Sequence, residues 1–128
     1  MESLEWQDSW SVGNETLDTD HKQLVQIINR VSHLQDSGED AVWVLNDLKG
    51  YSKYHFDREE KLMEAANIPG LVAHKKKHAM FVEWLGSLQR TINLPEAHFV
   101  VFNVANDYLR DWLKNHILHT DMEYKGKI

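Results

Sequence analysis

HFDREEKLMEAANIPGLVAHKKKH, residues 55–78, holds two pairs of side chains at helical spacing: His55 with Glu59, and His74 with His78. Residues four apart on an α-helix lie one turn apart on the same face. Each pair therefore aims two donor groups at one point. Between the pairs, Asn67-Ile68-Pro69-Gly70 is a run of turn formers that stops one helix and starts another. The stretch reads as a helical hairpin with metal-ligand side chains near its closed end.

Outward from this hairpin the same periodicity continues. Leu17, His21, Leu24, Ile28 and Val31 mark a helix over about 18–37, capped by Asp18 or Thr19 and closed by Ser37-Gly38. The second helix covers about 40–66, with Leu45, Leu48, Ser52, His55 and Glu59 inward. The third covers about 70–91, with His74, His78, Phe81, Leu85 and Leu88 inward. Gly86 lies inside it and reads as a point of close helix contact. Asn93-Leu94-Pro95 breaks the chain, and a fourth helix follows over about 95–117, with Phe102, Ala105, Leu109, Trp112 and His116 inward. Residues 1–17 carry Trp6, Trp10, Val12 and Leu17, and read as an arm packed over the body. Short connections make successive helices antiparallel. The expected fold is all-α: an up-down-up-down antiparallel four-helix bundle with an N-terminal arm, one domain over 1–128.

Composition narrows the function. The chain has 128 residues, a net charge of −6, no cysteine and eight histidines. Disulfides, thiolate metal sites and cysteine nucleophiles are excluded. There is no basic stripe for nucleic acid, and Lys75-Lys76-Lys77 reads as a solvated helix face. No apolar run reaches membrane-spanning length, and the acidic N-terminus lacks a secretory core, so the expected location is cytoplasmic.

Alternating helix direction decides where the polar groups meet. His21 starts the first helix, His55 and Glu59 end the second, His74 and His78 start the third, and His116 ends the fourth, with Asp121 just beyond. All seven fall at one end of the bundle. Ordinary polar core residues would leave two carboxylates and five imidazoles to satisfy one another away from water, which is costly; a bound cation removes the conflict. His33 and His98 fall at the opposite end, His98 about 27 Å from His116 at the rise of a helix. His119 reads as solvent-facing. A donor set rich in nitrogen suits iron, with manganese, cobalt or zinc as substitutes. Two octahedral ions sharing these donors, with both carboxylates and an oxo or hydroxo group bridging, leave one coordination position open for a small molecule.

The motifs DxxH at Asp18–His21, HFxxEE at His55–Glu60, HxxxH at His74–His78 and HIxxxD at His116–Asp121 resemble those of the hemerythrins, especially the bacterial hemerythrin-like proteins (bacteriohemerythrins). The likeness runs from Trp6 to about Tyr124. It implies two iron ions (Fe2+/Fe3+) with a bridging oxo or hydroxo group, and reversible binding of dioxygen. By that resemblance His74, His78 and His116 hold one iron, His21 and His55 hold the other and keep the open position, and Glu59 and Asp121 bridge. Asp121 follows His116 by five residues, about 140° around an ideal helix. The expectation is that the helix ends and the chain bends Asp121 back, with Tyr124 as support; a bulged or overwound turn is the alternative. Trp112, Leu113 and Ile117 flank His116 and are candidates for an apolar wall around the dioxygen pocket.

The expected function is dioxygen carriage, storage or delivery, without enzymatic activity. The alternative is an oxygen- or redox-sensing domain of a signalling protein. The end of the chain at Lys127-Ile128, soon after the last ligand, favours the first reading. A peroxidase or nitric-oxide-handling role ranks last, because the motifs show no acid or base outside the ligand sphere to drive O–O cleavage. Neither an output domain nor an oxygen-consuming protein partner is identified by the sequence.

Overall fold

The computed structural model describes residues 3–37, 39–92 and 98–128, with the side chains of 35, 36, 92 and 98–104 excepted. It is an up-down-up-down bundle of four long helices: α1 (Glu15–Ser32), α2 (Ala41–Ala65), α3 (Leu71–Ile92) and α4 (His98–Asn115). No strand occurs among the described residues. A short helical turn, Leu34–Ser37, follows α1. The expected stops at Gly38 and Pro95 and the inward side chain of Phe102 lie outside what is described.

The helix ends follow from capping chemistry. The side chain of Asn14, not Asp18 or Thr19, caps α1, accepting from Leu17 N at 3.0 Å. Asp18 instead ties down the arm, accepting from Val12 N at 2.8 Å and Ser11 Oγ at 2.5 Å. Asp40 caps α2 by accepting from Val42 N. At the other end of α2, Asn67 adopts φ 55°, a left-handed conformation that asparagine tolerates better than most residues. Asn67 N donates to Glu64 O at 3.1 Å and Ile68 N to Met63 O at 3.0 Å, the paired closure of a Schellman motif. Ile68 and Met63 then join the same apolar cluster. This turn sets the hairpin of α2 and α3.

The arm is packed as expected. Trp10 is buried and meets Trp6 edge to face at 5.8 Å. Asn29 of α1 holds the backbone of Leu4 through both its N–H and its carbonyl. Gly86 does not mark a close approach. A Cβ there would meet only the tips of Arg90 and Lys49, at 3.6 and 3.9 Å.

Apolar burial divides into two clusters. The larger contains Leu24, Ile28, Leu48, Phe81, Leu85 and Leu113 among others; the smaller contains Val12, Leu17, Met63, Ile68 and Tyr124. In chain order the polar residues fall between them: His21 between Leu17 and Leu24, Glu59 between Phe56 and Met63, His74 and His78 between Ile68 and Phe81. Burial on both sides gives that polar layer a dry, low-dielectric setting.

Candidate metal centre

The structure brings together all seven side chains singled out in the sequence. His21, His55, Glu59, His74, His78, His116 and Asp121 are each at most 5% exposed. Their donor atoms fall into two groups that could each hold a cation: Glu59, His74, His78, His116 and Asp121; and His21, His55 and Glu59. Within each group the atoms lie within 4.8 Å of one another.

The two carboxylates divide their oxygens between the groups. Glu59 Oε1 lies 2.6 Å from His74 Nε2 and 3.1 Å from His78 Nε2. Glu59 Oε2 faces the other way, 3.2 Å from His55 Nε2 and 3.5 Å from His21 Nε2. Asp121 repeats the division: Oδ1 is 3.0 Å from His74 and 3.1 Å from His116, and Oδ2 is 3.1 Å from His21. A carboxylate with one oxygen in each group has the geometry of a bridge. Counting both, three imidazoles face one position and two face the other.

Asp121 reaches the centre by a π-turn, not by a bend in the chain. Residues His116–Thr120 form a π-helical segment, and Asp121 N donates to His116 O, a link across five residues. Thr120 and Asp121 keep helical dihedrals, so the chain continues forward. The wider turn brings the fifth residue over the first, which an ideal α-helix places well off that face. A 3-10 turn, Asp121–Tyr124, follows and returns Tyr124 to the site.

Further side chains hold the site in place, and of these Asp20, Glu60 and Phe56 are not expected from the sequence. Asp20 is 3% exposed and accepts from His55 Nδ1 and Tyr51 Oη, each at 3.0 Å. Glu60 accepts from His78 Nδ1 at 2.8 Å. A carboxylate on Nδ1 fixes the tautomer and leaves the Nε2 lone pair for a cation. Tyr124, wholly buried, donates its hydroxyl to Glu59 Oε2 at 2.8 Å. Phe56 stacks on His78 at 3.8 Å and 4°, and Trp112 on His116 at 4.5 Å and 10°. Leu113 and Ile117 are buried in the larger core. Trp112 is thus placed against the three-imidazole group. His119 is exposed, and His33 meets Ser3 Oγ at the far end of α1.

Electrostatics show what the cluster lacks. Burial opposes charge on Glu59, yet the surrounding imidazoles of His21, His55, His74 and His78 hold it well below its ordinary range. Burial and the nearby Glu59 oppose charge on Asp121 too, but His116 and His21 outweigh them and hold it down. Burial works to lower His21 and His74, but their carboxylate partners raise each to about 9. Burial moves His116 down. The cluster therefore draws positive charge. Among the described residues nothing answers it fully: His21 Nε2 and both oxygens of Asp121 are buried, with Nε2 3.1 Å from Oδ2, yet none of them makes a well-aligned hydrogen bond. His78 Nε2 and His116 Nε2 face each other at 3.0 Å, a contact that needs a proton or a cation between two lone pairs. Buried groups left unpaired cost about 1–3 kcal/mol each. The donor set of nitrogen and carboxylate oxygen, closed to water and short of positive charge, fits a pair of transition-metal ions.

Comparison with known proteins agrees with this geometry. Residues 12–128 match the family model described as the Hemerythrin HHE cation binding domain. The chain is 32% identical over 124 residues to myohemerythrin-1 of Phascolopsis gouldii, covering 96% of this chain and 92% of that one. It is 33% identical over 126 residues to a bacteriohemerythrin of Pseudomonas aeruginosa, covering 97% and 80%. It is 28% identical over 130 residues to a bacteriohemerythrin of Stenotrophomonas maltophilia, covering 100% and 83%.

Proposed function

The chain belongs to the hemerythrin family, and from that premise we propose that it binds dioxygen reversibly at two non-haem iron ions, as a carrier, store or delivery protein. The observation that carries this reading is the division of Glu59 and Asp121, each presenting one oxygen to each group of imidazoles. His74, His78 and His116 would hold one iron, His21 and His55 the other, and the two carboxylates both. Iron bound there supplies the Fe2+/Fe3+ couple on which dioxygen binding depends. The group with fewer imidazoles keeps room for the gas.

The protein's own residues supply the rest. Asp20 and Glu60 orient His55 and His78 and keep their Nε2 atoms free of protons. Tyr124 holds a proton on its hydroxyl beside Glu59 Oε2, the oxygen that faces His21 and His55. Burial and the nearby carboxylates drive the ionisation of that phenol far above its ordinary range, so it stays a donor. Leu113 and Ile117 exclude water, which favours release of the gas over side reactions.

The test is an absorption spectrum of iron-loaded, reduced protein through a cycle of air and deoxygenation. A visible charge-transfer band that appears in air and disappears without it is expected. Irreversible bleaching, or failure to retain two irons per chain, refutes the reading.

A further inference from the structure

The larger aromatic side chains form a path from one imidazole of the centre to the surface. Trp112 lies flat on His116, with centroids 4.5 Å apart and planes 10° from parallel. Phe81 stacks on the other part of that assembly, 4.0 Å from Trp112 at 22°. Trp84 follows at 6.4 Å from Phe81 and 24°, and Tyr108 lies 4.2 Å from Trp84. His116 and Phe81 are buried, Trp112 and Trp84 are half-buried, and Tyr108 is 41% exposed.

Packing accounts for Phe81 and in part for Trp84, which lies against the larger apolar cluster, but not for Tyr108. Exposed rings gain little from the hydrophobic effect, which scales with apolar area removed from water. Trp84 and Tyr108 nevertheless hold ring contact out to solvent. On the two-imidazole side, Tyr51 and Tyr54 also reach the surface. There Tyr51 touches the carboxylate of Asp20, and among the described residues no ring contact joins it to His21 or His55. A cleft of about 390 Å3, lined by Tyr108, Trp112, His116 and Lys77 among others, opens beside the same rings. A small molecule there can come within contact of Trp112.

From this arrangement we infer that Tyr108, Trp84, Phe81 and Trp112 form an electron relay between solvent and His116. Along it a strong one-electron oxidant at the surface, of the metal-complex class, draws an electron from ferrous iron. The inference rests on the reading of the centre as an iron site. The oxidant gains one electron and a ferrous ion loses one; where Tyr108 is the ring oxidised, its phenol proton leaves to solvent and returns when the ring is reduced again. Indole and phenol are the side chains most readily oxidised by one electron in a chain without cysteine. Phe81 bridges the two indoles without being oxidised itself.

Flash photolysis of the full chain tests the relay, with photogenerated tris(bipyridine)ruthenium(III) as the oxidant. Iron content and the reversible visible band are measured first, so loss of the iron reading is seen separately from loss of the relay. In zinc-loaded protein, where the metal has no electron to give, transient absorption should show a long-lived aromatic radical. In ferrous protein the radical should decay several-fold faster, in step with oxidation of the iron. Trp84→Phe keeps the packing and removes the half-buried indole; it should slow iron oxidation several-fold and lower the yield of buried radical in the zinc form. Tyr108→Phe should lower the same yield. Trp43→Phe is a control at a site 69% exposed and outside the path, and should change neither. Equal radical lifetimes in the zinc and ferrous forms overturn the inference. So does a Trp84→Phe protein, folded by circular dichroism and fully loaded with iron, that oxidises at the wild-type rate.

Discussion

Asp20→Asn should weaken one metal equivalent and spare the other. In the structure Asp20 accepts from His55 Nδ1 and from Tyr51 Oη, both at 3.0 Å, with Arg58 Nε at 3.6 Å. Asparagine has the same shape. Its carbonyl can keep the bond from His55, and the Tyr51 hydroxyl can rotate to accept from the new amide. Geometry survives and charge is lost. A hydrogen bond to a charged group contributes about 1.5–3 kcal/mol, a neutral one about 0.5–1.5. The difference, about 1–1.5 kcal/mol, corresponds to roughly tenfold in affinity. That is the low end of the range for an outer partner of a metal-bound histidine, about 10–100-fold. The loss falls on the group of His21 and His55. Glu60→Gln makes the mirror test on His78, in the three-imidazole group. Glu60 is 23% exposed, so water replaces part of what is lost and the effect is smaller. Anaerobic titration with cobalt(II), followed by its visible bands, resolves the equivalents. The three-imidazole group should fill first. Asp20→Asn should then weaken the second equivalent about tenfold, and Glu60→Gln should weaken the first by less. If both variants weaken the same equivalent, or neither weakens any, the division of the site argued here is wrong.

Three further perturbations probe the surroundings. Tyr124→Phe removes the donor to Glu59 Oε2 in a wholly buried position; metal-free protein should lose about 1.5–3 kcal/mol in denaturant unfolding, and an unchanged midpoint would mean that this bond contributes nothing net. Leu113→Ala removes a buried side chain of the larger apolar cluster, three residues before His116; it should cost about 2–5 kcal/mol of stability and speed autoxidation of the iron-loaded protein, and unchanged oxidation kinetics would remove Leu113 from the pocket. Gly50→Ala lies in the middle of α2, where an added Cβ meets nothing within 4 Å; thermal unfolding should show a gain of about 0.5–1 kcal/mol, and a loss would show that the backbone at Gly50 is not ordinary helix.

The bundle and the meeting of the seven polar side chains were legible in the sequence because both rest on period and direction. His55 with Glu59 and His74 with His78 state their helical face locally, and alternating helices do the rest. What was not legible depended on packing between helices. Asp20 and Glu60 look like solvated charges beside the residues that matter. Each in fact sits one position from a site residue, about 100° around its helix, and that rotation carries it across the seam to a histidine of the neighbouring helix. Phe56, next to His55, reaches His78 in the same way. A search for carboxylates adjacent to candidate ligands would have found the pair. The π-turn at His116 had no such signal. No glycine or proline marks it, and the α-helical angle between His116 and Asp121 argued for a bend. The wider turn is set by the site, which needs both residues on one face. The Asn14 cap was missed because the apolar period of α1 begins only at Leu17.

The same cross-helix contacts tie the centre to the fold. His55 on α2 is held by Asp20 of α1, His78 on α3 by Glu60 and Phe56 of α2, and Glu59 on α2 by Tyr124 beyond α4. No helix can shift without disturbing a side chain that faces the centre. The converse also holds. With two carboxylates and five imidazoles at most 5% exposed, the bundle carries a buried conflict that a cation relieves, so binding energy and folding energy are shared. A ligand held by the native state alone, present at 100 times its dissociation constant, adds about 2.7 kcal/mol. That is a large part of the roughly 5–15 kcal/mol that holds a domain folded. The polar layer weakens the bundle when empty and clamps all four helices when filled, which is why a chain with an ordinary apolar core can keep so costly a set of groups inside it.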